Sequence, residues 1–269
     1  MNNVAYHYRI DIEIYLKQPI IKIIMLQRIT LFSFLLLSLI SVTSHAQTLR
    51  MVSSHWPPYI DNTLAEQGLA AELVTKALQK KGYASTLAMD SWPRALEGVQ
   101  IGVFDATCAI WKSPERERDL LFSEPFIDNN ISFLKKKNTK ADYQQLSDLK
   151  GFIIGVLRGY AYNDEFTHSS GLMKVPANYM IQNLQKLNQG SIDLVVGDTR
   201  VVQHALKQYL PKQVNAFEFI SPPLEIKGLY FAVSKGNKDA TTIIADFNTA
   251  INEMKLDGSY QEIISKYKH

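Results

Sequence analysis

Arg116 and Arg118 stand two residues apart in Ser113-Pro-Glu-Arg-Glu-Arg-Asp119, shortly before Phe122-Ser-Glu-Pro-Phe126. A guanidinium presents two parallel N–H donors that match a carboxylate, and it keeps its charge at any physiological pH. One of these arginines could therefore hold an anion in a cleft. The plain alternative is a solvated loop whose Glu and Arg side chains pair weakly, at ~0–1 kcal/mol per exposed pair. Asp198 directly precedes Thr199 and a helical run, so its carboxylate can cap that helix by accepting hydrogen bonds from first-turn N–H groups.

Other chemistry is missing. The sequence has no G-x-S-x-G elbow, no H-E-x-x-H and no G-x-x-x-x-G-K-[ST]. His55, His168, His204 and His269 match no metal spacing, and no cofactor is expected. The lone Cys108 lies in a run expected to be a buried strand, where a thiol is inert. A chain with these gaps reads as a binder.

The elements that must position Arg116 and Asp198 begin after a leader. Residues 31–42, LFSFLLLSLISV, are an apolar run with Arg28 before it and Ser44-His45-Ala46 after it. That pattern is a secretory signal peptide, with Met25 as a natural start and cleavage after Ala46. The run is too short for a bilayer, which needs ~20 residues. The chain has 29 basic and 26 acidic side chains, of which residues 1–46 hold four and two, leaving 25 against 24. So balanced a remainder gives no electrostatic basis for binding nucleic acid.

Past residue 47 the periodicity predicts strands over 49–53, 85–89, 103–110, 130–135, 152–157, 192–197, 216–220 and 228–234. Helices are predicted over 66–81, 93–99, a segment after Gly159, 178–188, 199–210 and 238–267 with a break at Gly258. Alternating strands and helices predict an α/β fold with mostly parallel sheets. Gly102-Val-Phe-Asp105 and Gly190-Ser-Ile-Asp193 form a weak internal echo, which favours two α/β units with a sheet each. Crossings between them fall at 134–140 and 221–228, where charges and prolines cluster.

Several spaced motifs then carry a resemblance. They are Trp56-Pro-Pro-Tyr59, Gly68 at a helix start, Gly102-x-x-Asp105, and Glu115-Arg116 six residues before Phe122-Ser-x-Pro-Phe126. Leu149-Lys-Gly151 before the next strand, Gly190-x-x-Asp193 with Asp198, and Leu256-Asp-Gly258 follow. In order and spacing, nearly all of 49–267 resembles the periplasmic solute-binding proteins of polar amino-acid ABC transporters, family 3 of the extracellular solute-binding proteins.

The resemblance implies a type II periplasmic-binding-protein fold, each lobe a mixed sheet flanked by helices with a hinge between. Residues 47–133 plus 227–269 would form lobe 1 and 134–226 lobe 2. It implies that Arg116 binds a ligand carboxylate, that Asp198 takes an α-ammonium, and that Trp56 or Tyr59 forms an aromatic wall. Gly159 and Tyr160, at a strand-to-helix turn, could offer backbone N–H groups to a carboxylate. The stretch before the arginine, ending in Ile110-Trp111, departs from the small hydroxyl residues usual there and makes the pocket smaller and more apolar. Trp92-Pro-Arg94 is similar to a side branch of the family.

The function implied is a periplasmic monomer that captures a small carboxylate, an amino acid first of all, by closing its hinge and delivers it to an inner-membrane ABC permease. Two alternatives share the scaffold. One is an enzyme similar to cyclohexadienyl dehydratases, with Glu165 or Asp198 as the acid. The other is a sensory module working without a transporter.

Overall fold

The computed structural model describes residues 48–267. The leader expected over residues 1–46 and its cleavage point lie outside the described residues. Strand β1 (Thr48–Ser53) opens the fold, with Leu49, Met51, Val52 and Ser53 buried. It runs parallel to β2 (Ala84–Met89) in a register from Thr48↔Ala84 to Ser53↔Met89, and on its other side parallel to β3 (Ala106–Ile110). The connection from β1 to β2 is helix α1 (Leu69–Lys80). Its apolar residues recur at helical spacing, and Leu69, Leu73, Val74, Ala77 and Leu78 are all buried. Gly68 starts this helix at φ +102°, where a Cβ would lie 2.7 Å from the Tyr59 carbonyl oxygen. Only glycine fits there, and the WPPY loop is pinned beside the helix start as a result.

Two ten-residue strands, β5 (Ile127–Lys136) and β10 (Glu225–Ser234), carry the chain across the molecule. The second half of β10 pairs antiparallel with β3 and with β4 (Leu120–Phe122), while Glu225–Leu229 pair with Ile127–Ile131 of β5. The second half of β5 pairs antiparallel with β8 (Leu194–Asp198) and with β9 (Phe217–Phe219). Strand β6 (Ile153–Leu157) runs parallel to β8 and β7 (Met173–Ala177) runs parallel to β6, giving the order β2-β1-β3-β10-β5-β8-β6-β7.

The expected α/β pattern is present, with three differences. The hydrogen bonding is mixed and runs on through β10 and β5, because those strands cross antiparallel to their neighbours at the places expected to be linkers. Strand β4 lies just past the charged loop and is only three residues long, too short for a periodicity. Strand β7 carries Pro176, which lacks a donor and is tolerated at the end of the strand order.

Around these strands sit α2 (Trp92–Gln100), the single turn α3 (Pro114–Glu117), α4 (Asp164–His168), α5 (Met180–Gln189) and α6 (Thr199–Tyr209). The chain closes with α7 (Ala240–Asp257) and α8 (Ser259–Lys266), separated at Gly258 as the sequence predicts. Phe247 of α7 packs 4.8 Å from Phe231 and 5.7 Å from Phe126, ring centre to ring centre. Each such ring, fully buried, contributes roughly 1.5–3 kcal/mol of hydrophobic stabilisation. No helix among the described residues is long and apolar enough to cross a membrane.

Candidate binding cleft

Strand β3 is small and buried throughout, and the chain leaves it through Trp111 into the turn α3. Pro114 fits the first helical position, and the Ser113 hydroxyl accepts from Arg116 N. Within one helical turn, residues two apart point away from each other. This separates the two arginines. Arg118 is exposed and its Nε donates to the Glu115 carbonyl at 3.2 Å. Arg116 is turned inward and only 6% exposed. Its Nη1 donates to the Trp111 carbonyl at 2.5 Å and its Nη2 to the Gly159 carbonyl at 3.2 Å. Among the described residues no carboxylate forms an ion pair with it; the neighbouring Lys112 and Glu117 pair with each other instead. Burial pushes its pKa down to about 10, which still leaves it a cation at neutral pH.

Aromatic rings wall the space in front of this guanidinium. The chain has three tryptophans, and all of them, Trp56, Trp92 and Trp111, line one cleft with Arg116 and Tyr160. Ser53, Ser54, Ala109 and Ile110 complete the lining, around a narrow cavity of about 30 Å³. The rings meet edge to face. Trp56 and Trp111 are 5.7 Å apart at 81°, and Trp111 and Tyr160 are 5.1 Å apart at 85°. Trp92 lies over Arg116, with Cζ 5.2 Å from the ring centre, and its Nε1 makes a long 3.4 Å contact to the Gly159 carbonyl. Gly159 sits at φ +73°, with the place of a Cβ 3.5 Å from Trp92. The buried Nε1 of Trp56 has no hydrogen-bond partner among the described residues.

Tyr59 and Asp198 are not part of this lining. They meet behind Trp56, whose ring is 4.7 Å from that of Tyr59. The Tyr59 hydroxyl donates to Asp198 Oδ1 at 3.1 Å and accepts from Asn129 Nδ2 at 2.7 Å and from Arg200 Nη1 at 3.2 Å. Asn129 Nδ2 also donates to Asp198 Oδ2 at 3.0 Å, and Asn129 Oδ1 accepts from Trp111 Nε1 at 2.7 Å. Asp198 is the cap of α6, accepting from Val201 N at 3.0 Å. Its carboxyl is raised above the usual range by burial, against the opposing effect of these donors and of Arg200. Burial and the adjacent Asp198 hold the Tyr59 phenol well above its ordinary range.

Of the residues expected at the site, Trp56, Ile110, Trp111, Arg116 and Tyr160 come together in the lining. Gly159 joins through its carbonyl rather than through an N–H group. Glu165, an expected acid, is exposed on α4. Sequence reasoning did not select Trp92, Ser53, Ser54, Asn129 or Arg200. Position at the end of a strand could have flagged Ser53 and Ser54, and the rarity of tryptophan could have flagged Trp92. Cys108 is fully buried, and burial raises its thiol to about 12. No three His, Cys, Asp or Glu residues gather as metal ligands among the described residues.

An exit turn after a buried strand has thus placed a cation at the mouth of the sheet, in a narrow cleft walled by rings. A guanidinium among rings has the chemistry to hold an anion with an apolar body. Similarities to known proteins agree with a binding role. Escherichia coli (strain K12) ABC transporter arginine-binding protein 1 is 27% identical over 220 residues, covering 80% of this chain and 88% of the relative. An L-cystine-binding protein of Bacillus subtilis (strain 168) is 25% identical over 201 residues, covering 74% and 72%. The fold matches that of an ancestral arginine-binding protein bound to arginine, with a TM-score of 0.70 at 24% identity, covering 84% of this chain and 100% of that one. The family pattern of the bacterial extracellular solute-binding proteins, family 3, matches residues 50–269. The chain, a two-lobed α/β protein of the periplasmic-binding-protein fold, belongs to family 3 of the bacterial extracellular solute-binding proteins.

Proposed function

We propose that this chain captures a small carboxylate-bearing solute at Arg116 and passes it to an inner-membrane ABC permease. One observation carries the reading. Arg116 is a guanidinium 6% exposed, set in a cleft, whose hydrogen-bond partners are main-chain carbonyls. A buried charge without a charged partner is costly, and a carboxylate removes that cost with a two-pronged hydrogen bond. The binding roles of the named relatives support the transport assignment and place amino acids among the first solutes to test.

The protein works in the periplasm as a monomer once residues 1–46 are removed, by the leader pattern and the family. Residues 47–133 plus 227–269 form one lobe and 134–226 the other, and β5 and β10 are the strands about which they close. Trp56, Ile110, Trp111 and Tyr160 shape the pocket, Gly159 shares Arg116 with the ligand, and Tyr59 and Asp198 support the walls from behind. The role is binding rather than turnover, in keeping with relatives named as binding proteins. Mass spectrometry of small molecules released on denaturing the purified protein tests this. A carboxylate is expected, and a sugar or polyamine released in its place would overturn the reading.

A further inference from the structure

We infer that the cleft selects a small monocarboxylate with a planar or branched apolar body and no ammonium group, so that the des-amino form of an apolar amino acid binds better than the amino acid. This rests on the reading of Arg116 as the carboxylate anchor and goes on to ask what else the ligand carries.

Charge comes first. Arg116 is the single formal charge among the lining side chains. The buried carboxylate behind Trp56, Asp198, is 2% exposed and already accepts from Tyr59, Asn129 and Val201. A monocarboxylate neutralises Arg116 and leaves nothing over. A zwitterion neutralises Arg116 and leaves its own ammonium in a site with no acid to receive it, which is the costly case for a buried charge.

Hydrogen bonding points the same way. The cleft is rich in donors, with the remaining guanidinium N–H groups, the unpartnered Trp56 Nε1 and the weakly held Trp92 Nε1. Its side-chain acceptors are hydroxyls only, those of Ser53, Ser54 and Tyr160. The Gly159 carbonyl is already shared by Arg116 and Trp92, and that of Trp111 is taken by Arg116. An ammonium brings three donors and no acceptor, whereas a carboxylate brings acceptors alone.

The tryptophan faces do not offer an ammonium a substitute. A cation is held by an open π face. Here Arg116 already lies over Trp92, at 5.2 Å, and Lys227 Nζ over Trp111, at 5.8 Å. Trp56, Trp111 and Tyr160 cover one another edge to face, at 81° to 89°. What these rings offer is a narrow apolar slot, which suits a planar or branched hydrocarbon body.

Because every tryptophan lines the cleft, intrinsic fluorescence reports binding directly, and calorimetry can repeat the titration. The probes are two matched pairs, 3-phenylpropanoate against L-phenylalanine and 4-methylpentanoate against L-leucine, with L-arginine, L-histidine and L-cystine beside them. The des-amino acid of each pair is expected to bind at least tenfold more tightly. An amino acid that binds as tightly as its des-amino partner, or more tightly, overturns the inference. Binding of L-arginine, L-histidine or L-cystine alone also overturns it, while Arg116→Ala abolishing that binding would leave the carboxylate reading of the site intact. If no carboxylate binds at all, both readings fall together.

Discussion

Asn129 is a single amide on which the cleft wall and the support behind it both hang. It is fully buried on β5, its oxygen holds the Trp111 indole N–H, and its nitrogen reaches Tyr59 and Asp198. Asn129→Leu keeps the volume and removes all three bonds. Trp111 Nε1 is then a buried donor with no acceptor, and Asp198 Oδ2 a buried carboxylate oxygen with no donor. At about 1–3 kcal/mol for a neutral orphan and more for a charged one, the pair should cost about 3–5 kcal/mol. Tyr59→Phe looks as drastic, since its hydroxyl also makes three bonds, yet every partner keeps another. Asn129 keeps Asp198, Asp198 Oδ1 keeps Val201 N, and Arg200 keeps the Asp128 carbonyl at 2.9 Å. With no group orphaned, the loss should be about 1 kcal/mol. For a chain of this size 1 kcal/mol moves the melting temperature by about 2–4 °C, so calorimetry should show a drop of about 2–4 °C for Tyr59→Phe and about 6–20 °C for Asn129→Leu. Equal drops, or a larger one for Tyr59→Phe, would refute the accounting by orphaned groups.

Three further outcomes are expected. Arg116→Ala should weaken carboxylate binding at least tenfold, because losing one partner of a buried charged pair costs ~2–5 kcal/mol and ~1.4 kcal/mol is a decade. Arg118→Ala should be near neutral and Arg116→Lys should bind poorly, all by titration, and equal effects at the two arginines would sink the assignment. Burial lowers the pKa of Arg116, so its protonated form is a cost to the fold that is present below about pH 10 and eases as pH rises through that value. A carboxylate ligand offsets this cost, and it is ionised well below neutrality, so affinity should stay flat from about pH 6 to about pH 9 and fall beyond about 10. A midpoint near 6.5, the usual histidine value, would assign binding to another group. Gly68→Ala should destabilise by more than about 1 kcal/mol, because the new Cβ meets main chain as well as a positive φ. Gly190→Ala, with φ +78° but nothing within 4 Å, should bear only the backbone cost, and thermal melts in which it proves the more harmful would reverse the reasoning.

How far the sequence could see depended on the range of the interaction. The burial of α1 and the end of α7 at Gly258 are local consequences of spacing and of a glycine, and both are readable. Arg116 is singled out by its distance from Phe122, but its inward turn comes from α3, a helix of one turn that leaves no periodicity. Asp198 as a helix cap is local and legible in Asp-Thr before an apolar pattern. Its bond to Tyr59 spans 139 residues and depends on how β5 and β10 bring the WPPY loop against α6. Nothing in the one-dimensional pattern marks Asn129, whose importance comes from standing where three distant side chains meet. The continuous pairing through β10 was hidden for a related reason. The segment 221–228, whose prolines and charges suggested a linker, runs directly into a strand whose partners are about a hundred residues away in the chain.

The carbonyl of Gly159 has a kinetic meaning. It accepts from Arg116 and from Trp92, so a solute arriving at the guanidinium meets an oxygen already there. That oxygen is a competitor tethered to the protein, held at an effective concentration that dilution cannot lower. Observed affinity is then the intrinsic affinity reduced by the share of time in which the tethered oxygen occupies the donor. The same oxygen helps on the way out, because it can take the N–H as the carboxylate lets go and no buried cation is ever left bare. A carrier that must surrender its cargo to a permease gains from an exchange of this kind, in which capture is modest and release never has to pass through an unsolvated charge.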